Sequence, residues 1–257
     1  MKLEQTNRII IKIGSALLFN ETSGSLNKEW LNSLAEDVKY LRENDKEVII
    51  VSSGAIAMGA KDLDLDMKNM KMDMNQAVSA VGQIHLMGSF KSAFEKNEIK
   101  ISQILLTLDD TEQRRRSINA RRTIDTLLKL GIVPVVNEND TIATSEIRYG
   151  DNDRLASRVA QITSADCLIL LSNINGLYSA DPSTDEDVKL INKVSEIDKD
   201  IEKMIGQSIS DYGKGGMKTK IQAAKTAMLS GCHLAITNGS IMRPVKSLFE
   251  GRPCTWF

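Results

Sequence analysis

Short apolar, β-branched runs alternate with helical periods along almost the whole chain, and this alternation restricts the fold more than any other feature. Residues 8–13, 48–51, 101–106, 132–136, 167–171 and 233–237 read as strands. Residues 27–44, 76–97, 114 to about 130, a stretch running through Leu229, and 245–249 read as helices. In the first of these helices apolar side chains recur at Trp30, Leu31, Leu34, Val38 and Leu41, and Asn27 stands where an N-cap belongs. Strand followed by helix from end to end predicts an α/β fold with a mainly parallel sheet. The chain has no internal repeat and no low-complexity linker, so residues 1–257 read as a single domain.

Composition narrows the function classes. With 33 basic and 34 acidic residues the net charge is −1, so no global field draws in nucleic acid or an anionic membrane. Any phosphate chemistry has to rely on local positive charge. The run Arg114-Arg115-Arg116, with Arg121-Arg122, has no interleaved aromatics and reads as a solvated helix face. Cys167, Cys232 and Cys254 lack CxxC spacing and read as reduced thiols. The N-terminus enters a strand directly, with no apolar segment long enough for a signal peptide or membrane span, so a cytoplasmic location is expected.

The chemistry concentrates in residues 131–160. A buried strand leads into a polar hook, Asn137-Glu138-Asn139-Asp140, and a second acidic hook, Gly150-Asp151-Asn152-Asp153, opens a helix. One such cluster is ordinary capping. Two of them flanking one excursion point to a site for an amine, a hydroxyl or a metal. Lys12 interrupts the first strand near its C-terminal end, either as a strand-edge lysine reaching solvent or as a cation facing a phosphate. Ser52-Ser53-Gly54-Ala55 joins a strand to a helix, the layout that aims backbone N–H groups at an anion. The glycine-rich run SDYGKGGMKTK (210–220) precedes another helix and suits a phosphate, although it lacks the P-loop spacing. Residues 63–74 are rich in methionine and charge and read as a mobile surface segment. His85 has no second ligand at metal spacing and reads as an ordinary helix residue.

Taken in order, Ile10-Ile11-Lys12-Ile13-Gly14-Ser15, Val51-Ser52-Ser53-Gly54-Ala55, Val135-Val136-Asn137-Glu138-Asn139-Asp140, Gly150-Asp151-Asn152-Asp153, Gly176-Leu177-Tyr178 and Gly215-Gly216-Met217-Lys218-Thr219-Lys220 resemble the amino-acid kinase family over nearly the whole chain. The resemblance implies a three-layer αβα sandwich and transfer of the γ-phosphoryl group of ATP, with Mg²⁺ held mainly by the phosphates rather than by side chains. NENDT with GDND, and GGM followed by a lysine, set the chain apart from acetylglutamate kinases, aspartokinases and uridylate kinases. They imply the side-chain carboxylate of L-glutamate as acceptor and glutamyl 5-phosphate as product, the first step of proline biosynthesis. Another acceptor within the family, or a non-catalytic sensor of glutamate, proline or nucleotide, are the alternatives.

Carried over residue by residue, Lys12 and Lys220 match catalytic lysines and Asp153 the aspartate that orients them. Ser53, Asp140 and Asn152 match acceptor-binding positions, with Gly54, Asn137 and Asp151 beside them. Ser172 and Asn173 match a nucleotide-binding pair that is usually Thr-Asp, a change bearing on base or ribose contacts. Lys214, Gly215, Gly216, Met217, Lys218, Thr219 and Lys220 match the nucleotide loop, Lys214 standing where a small polar residue is common. The resemblance also implies a homo-oligomer (dimer or tetramer) and proline as feedback inhibitor. The sequence stops at Phe257, after the kinase pattern, where many family members continue into a PUA domain.

Overall fold

A run such as Ile9-Ile10-Ile11 can only be buried on both sides of a sheet, and that is where it lies. The computed structural model describes residues 2–20, 25–68, 70–143, 152–180, 182, 188–199, 201 and 216–257. Seven strands form one sheet: β1 (Arg8–Ile13), β2 (Glu47–Val51), β3 (Ile101–Leu106), β4 (Val133–Glu138), β5 (Cys167–Ser172), β6 (His233–Asn238) and β7 (Cys254–Trp256). Their order is β3-β4-β2-β1-β5-β6-β7, and every pairing is parallel except the last. β1 is central, with Lys12 level with Val51 on β2 and Leu170 on β5.

The pleat separates two cores. Ile9, Ile11 and Ile13 pack with α1 (Ser15–Leu18), α2 (Lys28–Glu43), α4 (Met72–Glu95) and α9 (Pro244–Phe249). Ile10 packs on the other face with α6 (Arg114–Lys129), α7 (Asp153–Thr163) and α8 (Met217–Leu229). Lys12 follows Ile10 at a spacing of two and so shares the face covered by α7 and α8. Parallel strands bring their C-terminal ends to one edge of the sheet, where ligands of open α/β sheets collect. In α2 the expected Asn27 cap is present, its side chain accepting from Trp30 N at 3.2 Å.

Three local readings need correction. β4 does not stop at Val136: Asn137 and Glu138 stay extended because β3 offers them Leu105 and Leu106 as partners, so the polar hook begins only at Asn139. α4 starts at Met72, taking Met72–Met74 out of the expected surface segment. Gly14-Ser15 is not a simple turn but the start of α1. The antiparallel β7 and α5 (Leu108–Glu112) have no sequence-level expectation. α5 is set by a capping box, Thr107 Oγ1 accepting from Asp110 N at 3.2 Å while the Asp110 carboxylate accepts from Thr107 N at 2.8 Å. All three cysteines are buried and none forms a disulfide. Among the described residues no helix is long and apolar enough to cross a membrane.

α3 (Ala55–Asp62) and α4 cross at a backbone contact made possible by two glycines. A Cβ on Gly59 would lie 1.9 Å from Val78 O, and one on Gly82 only 1.8 Å from Ala55 O. Gly88, further along α4, has open space around it. Gly82→Ala is therefore expected to destabilise the protein by about 1–3 kcal/mol in urea unfolding, the usual range for overpacking. Gly88→Ala should instead stabilise it by about 0.5–1 kcal/mol through helix propensity. Equal effects at the two sites would rule out the close crossing.

Candidate active site

Lys12 comes from the end of β1, Asp153 from the first residue of α7 and Lys220 from the first turn of α8. All three are buried, with Asp153 at 0% exposure, Lys12 at 4% and Lys220 at 6%. Lys12 Nζ lies 2.6 Å from Asp153 Oδ1, and Lys220 Nζ lies 3.0 Å from Oδ2. Thr219 Oγ1 donates to the same Oδ2 at 3.1 Å. Burial alone would raise the carboxyl pKa, but the two ammonium groups reverse that and hold it at about 2. Asp153 is thus ionised at every physiological pH. Among these three side chains, two ammonium charges stand against one carboxylate, a balance suited to a polyanion. Of the two readings of Lys12, solvent-reaching is excluded by its burial.

A pocket with a few convergent polar groups adjoins this cluster, since Asn152 precedes Asp153. Its walls include Ser53, Gly54, Asn137, Asp140 and Asn152, together with Ser15, Met67 and the first turn of α3, Ala55 to Ala57. Asn152 Nδ2 donates to Ser52 O and, at 2.7 Å, to Asn137 Oδ1. Ser53 Oγ donates to Ile13 O at 2.9 Å, tying the turn after β2 to the end of β1. Two amide atoms remain buried without a hydrogen-bond partner among the described residues: Asn137 Nδ2, a donor, and Asn152 Oδ1, an acceptor. Such orphans are costly unless a ligand satisfies them. Gly54 adopts φ +101°, with the Phe19 ring 2.7 Å from where a Cβ would stand, so only glycine fits there. Asp140 is 7% exposed, and burial pushes its pKa up to about 6. It calls for a cation.

Ser172 ends β5 beside β1 at the same edge of the sheet, and its hydroxyl donates to Asn173 Oδ1 at 3.4 Å. Gly216 is the N-cap of α8; Met217, Lys218 and Thr219 form its first turn, with Lys218 exposed. Asp151, Lys214 and Gly215 lie outside the described residues. Sequence reasoning quoted Ser15 within a motif and Met67 within a methionine-rich run but gave neither a role at the site. Nothing in the methionine-rich run 63–74 distinguishes the one side chain that reaches the pocket. The α3 turn was foreshadowed by the Ser-Ser-Gly-Ala layout after β2.

Among the described residues no cation pairs with Asp140, and an unpaired buried carboxylate weakens the fold. Because the folded pKa of Asp140 is raised from 3.8 to about 6, its penalty is absent below about pH 4, grows as pH rises through 6, and is complete above it. About two pKa units correspond to about 3 kcal/mol as an upper bound. Asp140→Asn should therefore be more stable than the parent chain in urea titrations at pH 7.5, with the difference vanishing near pH 4. A difference independent of pH would contradict the unpaired state of Asp140.

The model of the Amino acid kinase family matches residues 7–238. Glutamate 5-kinase of Pelagibacter ubique (strain HTCC1062) is 58% identical over 257 residues, covering 100% of this chain and 70% of that protein. Glutamate 5-kinase of Ruegeria sp. (strain TM1040) is 51% identical over 255 residues, covering 99% and 69%. Among solved structures, UMP kinase from Ureaplasma parvum superposes with a TM-score of 0.66 at 17% identity over 98% of both chains. The isopentenyl phosphate kinase of T. acidophilum gives 0.65 at 14% identity, covering 97% of this chain and 98% of that one. These two share the fold. A family match running from β1 to the end of β6, on a sheet of the same architecture, settles descent: the chain belongs to the amino acid kinase family.

Proposed function

We propose that the protein transfers the γ-phosphoryl group of ATP to the side-chain carboxylate of L-glutamate, giving glutamyl 5-phosphate at the start of proline biosynthesis. The observation that carries this reading is the buried Lys12–Asp153–Lys220 cluster beside a pocket with an unpaired carboxylate. The names of the relatives point the same way.

A glutamate side chain, with a pKa near 4.3, is already an ionised nucleophile at neutral pH, so the reaction needs no general base. One carboxylate oxygen attacks the γ-phosphorus while the bond to the β–γ bridging oxygen breaks, and ADP leaves with that electron pair. What the protein must supply is alignment and neutralisation of charge as two anions approach. Lys12 and Lys220, held apart by Asp153, would grip phosphate oxygens from two sides. Mg²⁺ carried on the triphosphate would neutralise further oxygens. The Lys12 and Lys220 ammonium groups cannot ligate a metal and they engage the Asp153 carboxylate, so phosphates and water would be the main ligands of the ion.

Asp140 suits the α-ammonium group, and Asn152 Oδ1 can accept from it. The first turn of α3 has no side-chain cap, leaving backbone N–H groups for the α-carboxylate. Proline carries the same two groups on one carbon, which supports competition for this pocket. Ser172, Asn173 and the start of α8 would take the nucleotide.

Turnover with Mg²⁺-ATP in the presence of hydroxylamine tests the reading. Hydroxamate should form with L-glutamate, and neither aspartate nor N-acetylglutamate should replace it. N-Acetylglutamate has no ammonium group for Asp140, so a preference for it would refute the assignment. Hydroxamate from none of the three, with glutamate still bound, would favour a sensor.

A further inference from the structure

Asp140 gains no hydrogen bond that would lower its pKa, so its place in the pocket is set by its backbone. That backbone is the short turn 139–143. Asn139 N donates to Leu106 O at 3.0 Å, and the amides of Ile142 and Ala143 both donate to Asn139 O at 3.1 Å. These bonds shape the turn and join its first residue to the sheet.

Two further ties come from α4. Gln83 Nε2 donates to Glu138 O at 3.5 Å, just before the turn, and Gln76 Nε2 donates to Ala143 O at 3.1 Å, at its end. Residues seven apart share a helix face, so one face of α4 holds both ends of the turn. Gln103 on β3 donates to Gln83 Oε1 at 3.3 Å, which directs the amino end of that amide toward Glu138. Gln83 is almost fully buried, so the orientation of its amide matters.

The same helix is locked to α3 by the Gly59–Gly82 crossing, and the first turn of α3 is another wall of the pocket. α4 therefore spans two walls, through backbone contact with one and side-chain amides with the other. An α-amino acid presents its ammonium and carboxylate on a single carbon, so these walls must stand a fixed, short distance apart. An error of about 1 Å there is enough to lose most of the alignment.

Resting on the acceptor reading above, we infer that Gln76 and Gln83 are positioning residues that set the gap between Asp140 and the first turn of α3, and so the pocket's selectivity for a free α-amino acid. Neither is among the residues that line the pocket. Both act through the turn that carries Asp140.

Gln76→Met and Gln83→Met keep the side-chain length and remove the donor. Each should raise the glutamate KM about 3- to 10-fold, the size of one lost hydrogen bond. The ATP KM and kcat at saturating glutamate should stay within about twofold. Hydrogen exchange at the Ile142 and Ala143 amides should quicken, while the unfolding midpoint stays close to that of the parent chain. An unchanged glutamate KM with unchanged exchange would overturn the inference. So would a rise in both KM values with a lowered unfolding midpoint, which a merely structural role produces. If the parent chain does not phosphorylate glutamate, the functional reading fails separately. The exchange rates then decide: faster exchange upholds the brace, and unchanged rates end it.

Discussion

One carboxylate shared by two ammonium groups, all three buried, is the interaction on which the site depends. Taking such charges out of water costs several kcal/mol per ion unless the geometry repays it. Here both Asp153 oxygens are engaged, one by each lysine. The three side chains come from a central strand and two helix starts, so the cluster exists only when the sheet and the α7–α8 layer are both in place. Removing Asp153 would leave two buried cations without an anion. This arrangement suits a polyanionic ligand: among these three side chains two ammonium groups face one carboxylate, and a triphosphate would balance the remaining charge.

The acceptor side works on the same principle with the opposite sign. Among the described residues Asp140 is a buried anion with no cation beside it, and Asn137 and Asn152 each hold back one amide atom. Stability is given up at all three, as expected of a pocket whose missing partners belong to a ligand. The rigidity needed to hold them comes from elsewhere, from the glycine crossing of α3 and α4 and from the amides that α4 extends to the turn.

Strand positions were legible because an apolar run buried on both faces leaves a plain trace, and β1 and β3 run from the residues the sequence indicates. Helix α2 was legible to its cap, since periodicity and Asn27 agree. The end of β4 was not, because Asn137 and Glu138 look like turn residues and remain extended only by pairing with β3, a long-range fact. β7 was missed because three residues carry almost no pattern. At the site, Lys12, Asp153 and Lys220 were singled out together by the family resemblance, yet only the fold brings residues 12, 153 and 220 within 3.0 Å contacts. Met67, Gln76 and Gln83 had no signal at all. A glutamine on an amphipathic helix looks the same whether it faces water or a carbonyl oxygen.

The central claim is that Lys12 and Lys220 act as one unit through Asp153, and a double-mutant cycle on kcat tests it directly. Lys12→Met and Lys220→Met should each lower kcat by about 10²- to 10³-fold, as for loss of one charge-stabilising donor. The double variant, shown to be folded by circular dichroism, should be scarcely slower than the worse single variant, because removing either lysine already dissolves the unit. Losses that multiply, or full kcat in either single variant, would show that the lysines act separately and contradict the shared clamp.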